Sequence, residues 1–338
     1  MKNIHWGMIG TGAVTEKKSA PGLYKSKGSI LKGVYGINLE QVKDYARRHN
    51  IEKVFENSED IINNPDIDAI YIATPPSSHK EYAIKSILAG KHIYIEKPMA
   101  TNYEDCLEIE KLAKEKNVKV FTAFYRRGLK KFNKIKELIK NNKIGEIRYV
   151  DVVLQQTVAT SGYNKENIPW RLQGSISGGG IFLDMGIHTI DILDYIIGEI
   201  EDVKSIVSNQ GNLYDVEDMV SVTWKFKNGV HGIGKWCFTA FEDIDKVEIV
   251  GNLGKIIFSC FDDTPVKVYK NNFYEEYNYE SPEHIQQPYI QSIVNELLDI
   301  GKHEGSLESS IRSQYIADKV LYEYKNKKNY KNTEEKND

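Results

Sequence analysis

Cysteine is scarce in this chain, and its placement excludes more than its number. Cys106, Cys237 and Cys260 are odd in number and far apart, and none sits in a C-x-x-C pair, so neither a disulfide framework nor a cysteine-based structural zinc site is expected. That usage fits a reducing cytoplasm. Long apolar runs are absent as well: no stretch reaches the roughly 18 residues that read as a membrane span. The N-terminus enters a short strand pattern, Ile4 to Ile9, with no basic, apolar and cleavage-site succession, which predicts a soluble protein that is not exported. Nor is one sign of charge in excess. With 45 Lys and Arg against 48 Asp and Glu, the balance offers nothing to nucleic acid or to an acidic membrane surface. No internal repeat is visible.

What the chain does have is length and alternation. Its 338 residues suffice for two domains, each with its own core. Apolar runs of strand length at His5 to Ile9, Ile30 to Tyr35, Ile67 to Ala73, Ile93 to Ile95 and Val118 to Phe124 alternate with helical patterns such as Leu39 to His49, His79 to Ala89 and Tyr103 to Lys116. This texture predicts a parallel, doubly wound α/β sheet over residues 1–125. From Glu146 the texture changes to long alternating stretches. Val220, Val222, Trp224 and Phe226 share one side, and Ser221, Thr223, Lys225 and Lys227 the other, as in a mostly antiparallel sheet covered on one face. With the helices His284 to Ile300 and Leu307 to Tyr324 it predicts an α+β domain over 126–325. A Lys- and Asn-rich tail, 326–338, reads as disordered.

The first strand meets Gly10-Thr11-Gly12-Ala13-Val14 and then a helical segment, the context that a dinucleotide fingerprint requires. Gly10 suits the tight turn and Gly12 the close approach of backbone to a pyrophosphate at the helix N-terminus. The third glycine position is Thr15, so the match is partial. After the second strand an acid would bind the ribose 2′-hydroxyl and an arginine a 2′-phosphate; Gly36-Ile37-Asn38 offers neither and leaves NAD or NADP open. Thr74-Pro75-Pro76-Ser77-Ser78-His79 leaves the strand Ile67 to Ala73 as a rigid rim for a ribose or nicotinamide, or as a turn with Ser78 capping the next helix.

The next strand ends abruptly in charge. In Lys91-His92-Ile93-Tyr94-Ile95-Glu96-Lys97-Pro98-Met99 an apolar run delivers an acid, a base and a proline to its tip, where an open α/β sheet places its chemistry. Pro98 biases Lys97 away from helix and fixes the direction of its side chain. A second constellation, Gly178-Gly179-Gly180 followed by Asp184, Gly186, His188 and Asp191, lies in the C-terminal half. Three glycines permit close approach to a ligand or to another element. On a helix Asp184 and His188 share a face, as an oriented general base needs, or as a plain helix contact; Asp191 continues that face. No further ligand at recognisable spacing accompanies them, so no metal site is expected.

Taken together and in this order, Gly10-Thr11-Gly12, Thr74-Pro75 with His79, Glu96-Lys97-Pro98, and Gly178-Gly179-Gly180 with Asp184, Gly186, His188 and Asp191 resemble the glucose-fructose oxidoreductase / inositol dehydrogenase (Gfo/Idh/MocA) family over about residues 1 to 325. The resemblance implies an N-terminal Rossmann domain, a C-terminal α+β domain whose open sheet serves as an oligomer interface in a dimer or tetramer, and an active site at their junction. It implies that Lys97 binds the substrate hydroxyl and assists proton transfer, that His188 is the general acid/base, and that Asp184 is its partner or a second substrate ligand. Glu96 and His79 would lie near the cofactor. Tyr125-Arg126, Trp170-Arg171 and the Glu283-His284-Ile285-Gln286 segment resemble positions near the substrate.

The expected reaction is hydride transfer between NAD or NADP and a secondary hydroxyl, or the matching ketone, of a sugar, polyol or inositol. Two rivals share the scaffold. One is NAD-dependent glycoside hydrolysis, in which the hydride is borrowed and returned. The other is a dinucleotide-binding regulator without turnover, against which the joint presence of Lys97, Asp184 and His188 argues.

Overall fold

Five apolar runs and a two-residue edge strand pair into one parallel sheet, because the apolar runs are too short and too apolar to be satisfied except with both faces covered. They are β1 (Ile4–Ile9), β2 (Ser29–Tyr35), β3 (Lys53–Val54), β4 (Ala69–Ile72), β5 (His92–Ile95) and β6 (Val120–Thr122), in the order β3-β2-β1-β4-β5-β6. The structure, a computed structural model, describes residues 2–271 and 273–334. The strand order reverses between β1 and β4, the point at which doubly wound sheets bind ligands. Ile70, Ile72, Ile93 and Ile95 pack with Ile87 and Ile109 of the covering helices His79–Leu88 and Tyr103–Lys116. Asn102 caps the second of these, accepting from Asp105 N–H at 2.8 Å, and Asn117 ends it in the left-handed region.

The predicted helix after the glycine turn is two short ones, Ala13–Lys17 and Ala20–Lys25, with Pro21 in the first turn of the second. A larger difference concerns the boundary of this unit. The sequence pattern assigns 126–325 to one C-terminal domain, whereas Ser281–Ile311 clusters with the chain up to Leu129. Glycines make the room. A β-carbon on Gly22 would meet Ile290 Cδ1 at 2.7 Å, and one on Gly128 would meet Tyr289 N at 2.9 Å, so the helix Gln287–Leu297 lies directly on backbone. Tyr289 donates to Thr122 O at 3.0 Å and stands edge-on to His303 at 4.4 Å.

Burial pushes the pKa of His303 down to about 4, with nearby Glu296 opposing and Arg127 reinforcing the shift. Above the ordinary histidine value of 6.5 the ring is neutral folded or unfolded and costs nothing. Between 6.5 and about 4 the unfolded chain binds a proton that the folded chain refuses, so stability falls as pH falls and levels off below. The shift corresponds to a loss of up to about 3 kcal/mol. His303→Gln should remove that part of the acid loss, read as a smaller drop in urea midpoint between pH 7 and pH 4; an unchanged pH slope counts against this origin.

The second unit, Lys130–Glu280 with the chain from Arg312, is built on β7 (Ile147–Gln155), β8 (Ile200–Ser208), β9 (Met219–Phe226), β10 (His231–Cys237), β11 (Ile244–Gly251), β12 (Lys255–Phe258), β13 (Val266–Lys270) and β14 (Phe273–Tyr277). The order β14-β13-β12-β11-β7-β10-β9-β8 is antiparallel throughout except for the pair β7·β10. Val220, Val222, Trp224 and Phe226 are buried as their alternation predicts. Gly232, beside Trp224 in register, leaves space for the indole ring, which a β-carbon there would overlap. The last helix, Leu307–Glu334, runs on into the tail read as disordered, helped by pairs such as Lys327 with Glu323; residues 335–338 of that tail lie outside the described residues. Among the described residues no helix is long and apolar enough to cross a membrane.

Candidate active site

In the first unit, four loops follow the carboxyl ends of neighbouring strands: Gly10 to Val14 after β1, Gly36 to Asn38 after β2, Thr74 and Pro75 after β4, and Glu96 and Lys97 after β5. The sheet order therefore brings together these predicted cofactor residues. Gly10 has φ +105° and donates its N–H to Tyr35 O at 2.8 Å. Gly12 is exposed and extended at the start of the helix Ala13–Lys17, no side chain caps that helix, and a β-carbon on Gly12 would meet nothing within 4 Å. This bare, open helix start fits a dinucleotide pyrophosphate. Thr15, at the third glycine position, is fully buried. Its hydroxyl donates to Gly12 O at 2.8 Å and its carbonyl accepts from Tyr45 OH at 2.9 Å, so the substitution braces the turn from behind.

Beyond β2, Ile37 is 94% exposed and Asn38 accepts from Gln41 N at 3.1 Å, capping the helix Leu39–Arg48. Asn38 thus has a structural duty that sequence reading did not assign. His79, expected near the cofactor, is fully buried, with Nδ1 2.8 Å from Pro98 O and Nε2 2.8 Å from Thr74 O. Burial, the larger influence, lowers its pKa, while the two carbonyls oppose that shift and the Lys97 cation adds to it. The ring ties the β4 loop to the Lys97-Pro98 turn, whose peptide bond is cis.

Glu96 is also turned inward. It is 7% exposed, and its Oε1 accepts from Tyr71 OH at 2.8 Å and from Gln286 Nε2 at 2.8 Å. Gln286 Oε1 in turn accepts from Tyr94 OH at 2.6 Å, and the Tyr71 hydroxyl lies 2.7 Å from Ser19 Oγ. Tyr71 and Tyr94 pair in register on β4 and β5 and stack with centroids 4.9 Å apart. Burial first, and the Glu96 charge second, hold both phenols well above their usual pKa. Sequence reading missed Tyr71 and Tyr94. Their signal was a polar-tipped ring inside otherwise aliphatic buried strands, which requires a buried partner. Lys97, the next residue, is half-buried.

In the second unit Gly178 takes φ +80°, and the reason for the glycine triplet is another element of the protein. Gly180 N donates to buried Glu217 Oε1 at 2.7 Å, and a β-carbon on Gly180 would lie 2.6 Å from Glu217 O. A wide π-turn, Phe182–Gly186, carries Asp184, and the α-helix Ile187–Ile196 carries His188. The single α-helix predicted through both does not form, so the phase that puts residues four apart on one face is interrupted between them. Gly186 permits the wide turn to close on the Phe182 ring, which a β-carbon would meet at 2.5 Å. His188 is 5% exposed and edge-on to Phe261 at 6.2 Å. Asp191 is buried and accepts from Ser313 Oγ at 3.3 Å. Among the described residues no group of three His, Cys, Asp or Glu side chains could hold a metal.

The predicted substrate contacts divide. Tyr125 and Arg126 are buried in a one-turn 3-10 helix, with the guanidinium 4.9 Å from the Tyr125 ring centre. Trp170, 38% exposed, and Arg171 sit in a similar turn of the second unit. His284 is buried: its Nδ1–H donates to Lys17 O at 2.9 Å and its Nε2 accepts from Lys25 Nζ at 2.6 Å, so it fastens its own segment to the first helices.

Comparison with known proteins follows this geometry. Residues 4–124 match the model of an oxidoreductase family with an NAD-binding Rossmann fold, and residues 132–257 match a Gfo/Idh/MocA C-terminal domain. "Oxidoreductase P35" of Formosa agariphila is 41% identical, covering 93% of this chain and 97% of its own. Myo-inositol 2-dehydrogenase of Thermotoga maritima is 27% identical over 77% of this chain and 76% of its own. The structure of a levoglucosan dehydrogenase in complex with NADH and levoglucosan is 25% identical, with a TM-score of 0.84 over 95% of this chain and 97% of that one. The bare glycine turn at the switch point of a doubly wound sheet, the Glu-Lys-Pro strand tip and these matches make this chain a member of the Gfo/Idh/MocA family, an NAD(P)-binding oxidoreductase.

Proposed function

We propose that the enzyme moves a hydride between NAD and a secondary hydroxyl, or the matching ketone, of a sugar, polyol or inositol. The observation that carries this reading is the row of loops after β1, β2, β4 and β5, which has an open helix start at the same sheet end as a lysine whose two flanking residues are both clamped. Bound nicotinamide supplies the two-electron redox chemistry. The chain's own residues do the rest. Gly10, Thr11, Gly12, Ala13 and Val14 hold the pyrophosphate, Gly36 to Asn38 the adenosine ribose, and Thr74 and Pro75 the rim. Lys97 binds the reacting hydroxyl, His188 takes or returns its proton, and Asp184 orients the imidazole or a second hydroxyl. Substrates of this class are supported by the relatives named for myo-inositol and levoglucosan. Gly36-Ile37-Asn38 carries neither an acid for a ribose 2′-hydroxyl nor a cation for a 2′-phosphate, so the support for NAD comes from the relative whose structure holds NADH.

The test is a titration of cofactor-stripped protein with NADH and NADPH, followed by energy transfer from tryptophan to nicotinamide, and then a turnover screen with myo-inositol, levoglucosan and related polyols. NADH should bind at least about tenfold more tightly, a difference of about 1.4 kcal/mol. Tighter NADPH binding would reverse the cofactor assignment, and turnover of none of these polyols would remove the substrate class.

A further inference from the structure

Lys97 is flanked by two buried clamps, and the reaction as read above uses neither. On one side His79 holds Pro98 O. On the other, Tyr71 and Gln286 hold Glu96. Gln286 is 1% exposed, and both ends of its amide are engaged, the oxygen by Tyr94 and the nitrogen by Glu96. Its backbone N–H donates to Lys18 O at 3.1 Å, so the side chain is itself held in place. A buried carboxylate that accepts two hydrogen bonds on one oxygen has little freedom to rotate. Fixing Glu96 therefore fixes the end of β5 from which the chain turns into Lys97.

We propose that Gln286 is a positioning residue for Lys97, acting through Glu96, a role that rests on the reading of Lys97 as the hydroxyl-binding cation. Gln286 comes from the returning segment Ser281–Ile311, so that segment completes the Glu-Lys-Pro tip from a distant part of the chain. Without the amide, Glu96 keeps one hydrogen bond, from Tyr71, and Tyr94 loses its acceptor. Lys97 then samples orientations in which its ammonium no longer meets the hydroxyl. A displacement of about 1 Å of a positioning group costs on the order of 100-fold in rate.

Gln286→Leu and the milder Tyr71→Phe test this. Lysines are reductively methylated with a ¹³C label, and the signal lost in Lys97→Arg identifies position 97. In the parent protein the Lys97 dimethylamine should give a signal displaced from the exposed lysines. In Gln286→Leu it should move to the exposed-lysine position, and in Tyr71→Phe part of the way. With the polyol of highest turnover, kcat/KM of Gln286→Leu should fall about 10- to 100-fold, in part through a raised KM, while the NADH dissociation constant stays within about threefold. An unmoved Lys97 signal in a Gln286→Leu protein that still binds NADH overturns the positioning role. Should Gln286→Leu fail to fold, an unmoved signal in Tyr71→Phe does the same. Failure of the underlying reading looks different: Lys97→Ala would then retain turnover whatever the spectra show.

Discussion

Replacing His188 or Lys97 by alanine should lower turnover by roughly 10²–10⁴-fold, the usual cost of losing a proton-transfer group, while each protein stays folded. The two variants should fail for different reasons. His188 lies in the helix Ile187–Ile196, nearly buried and edge-on to Phe261, so its imidazole is held in one place by packing. Truncation there would remove the proposed proton acceptor, and since none of the residues proposed to hold the cofactor lies in that helix, NADH affinity should be unchanged. Lys97 follows β5 at the same sheet end as the glycine turn, so its loss should also raise KM. Steady-state kinetics with the polyol selected above, together with NADH titration and thermal unfolding, separate these effects. Near-parental turnover in either variant removes that residue from the chemistry.

Much of this site was legible because it sits at the ends of short apolar strands, where length and composition alone identify a buried parallel sheet. Glu96-Lys97-Pro98 stood out because charge follows Ile93-Tyr94-Ile95 without a turn. Three features were not legible, each for a physical reason. Thr15 read as a defect in the glycine fingerprint because sequence gives no side-chain direction; it points inward and bonds Gly12 O. Asp184 and His188 read as one helical face because a spacing of four assumes uniform pitch, and the π-turn Phe182–Gly186 breaks that assumption. Gln286 joins Glu96 across a separation of 190 residues, and no local pattern encodes such a contact. Even so, two tyrosines in register on β4 and β5 were a visible sign that something polar had to reach into that core.

The glycine turn yields the other large effect, from a methyl group. Gly10→Ala should destabilise the protein by about 3 kcal/mol or more, since strain in a disfavoured backbone region and forced overlap each cost about 1–3 kcal/mol. The strain arises because Gly10 has φ +105°, which a side chain resists. The overlap arises because the new carbon would lie 2.6 Å from Ala73 O and 2.8 Å from Ala73 C. That carbonyl cannot easily retreat. Ala73 N donates to Ile9 O at 2.8 Å and so continues the β1–β4 pairing, and retreat would open the sheet. The turn must move instead, and its N–H groups lose their aim at the pyrophosphate. Two hydrogen bonds to a charged group are worth about 3 kcal/mol at the low end, so NADH should bind about 100-fold more weakly. Gly12→Ala provides the contrast. There φ is −80° and no atom lies within 4 Å, so unfolding should be unchanged. If a dinucleotide occupies the open space at Gly12, the added methyl enters that space, and NADH affinity should fall with no loss of stability. A Gly12→Ala protein that binds NADH as well as the parent would place the pyrophosphate somewhere other than this turn.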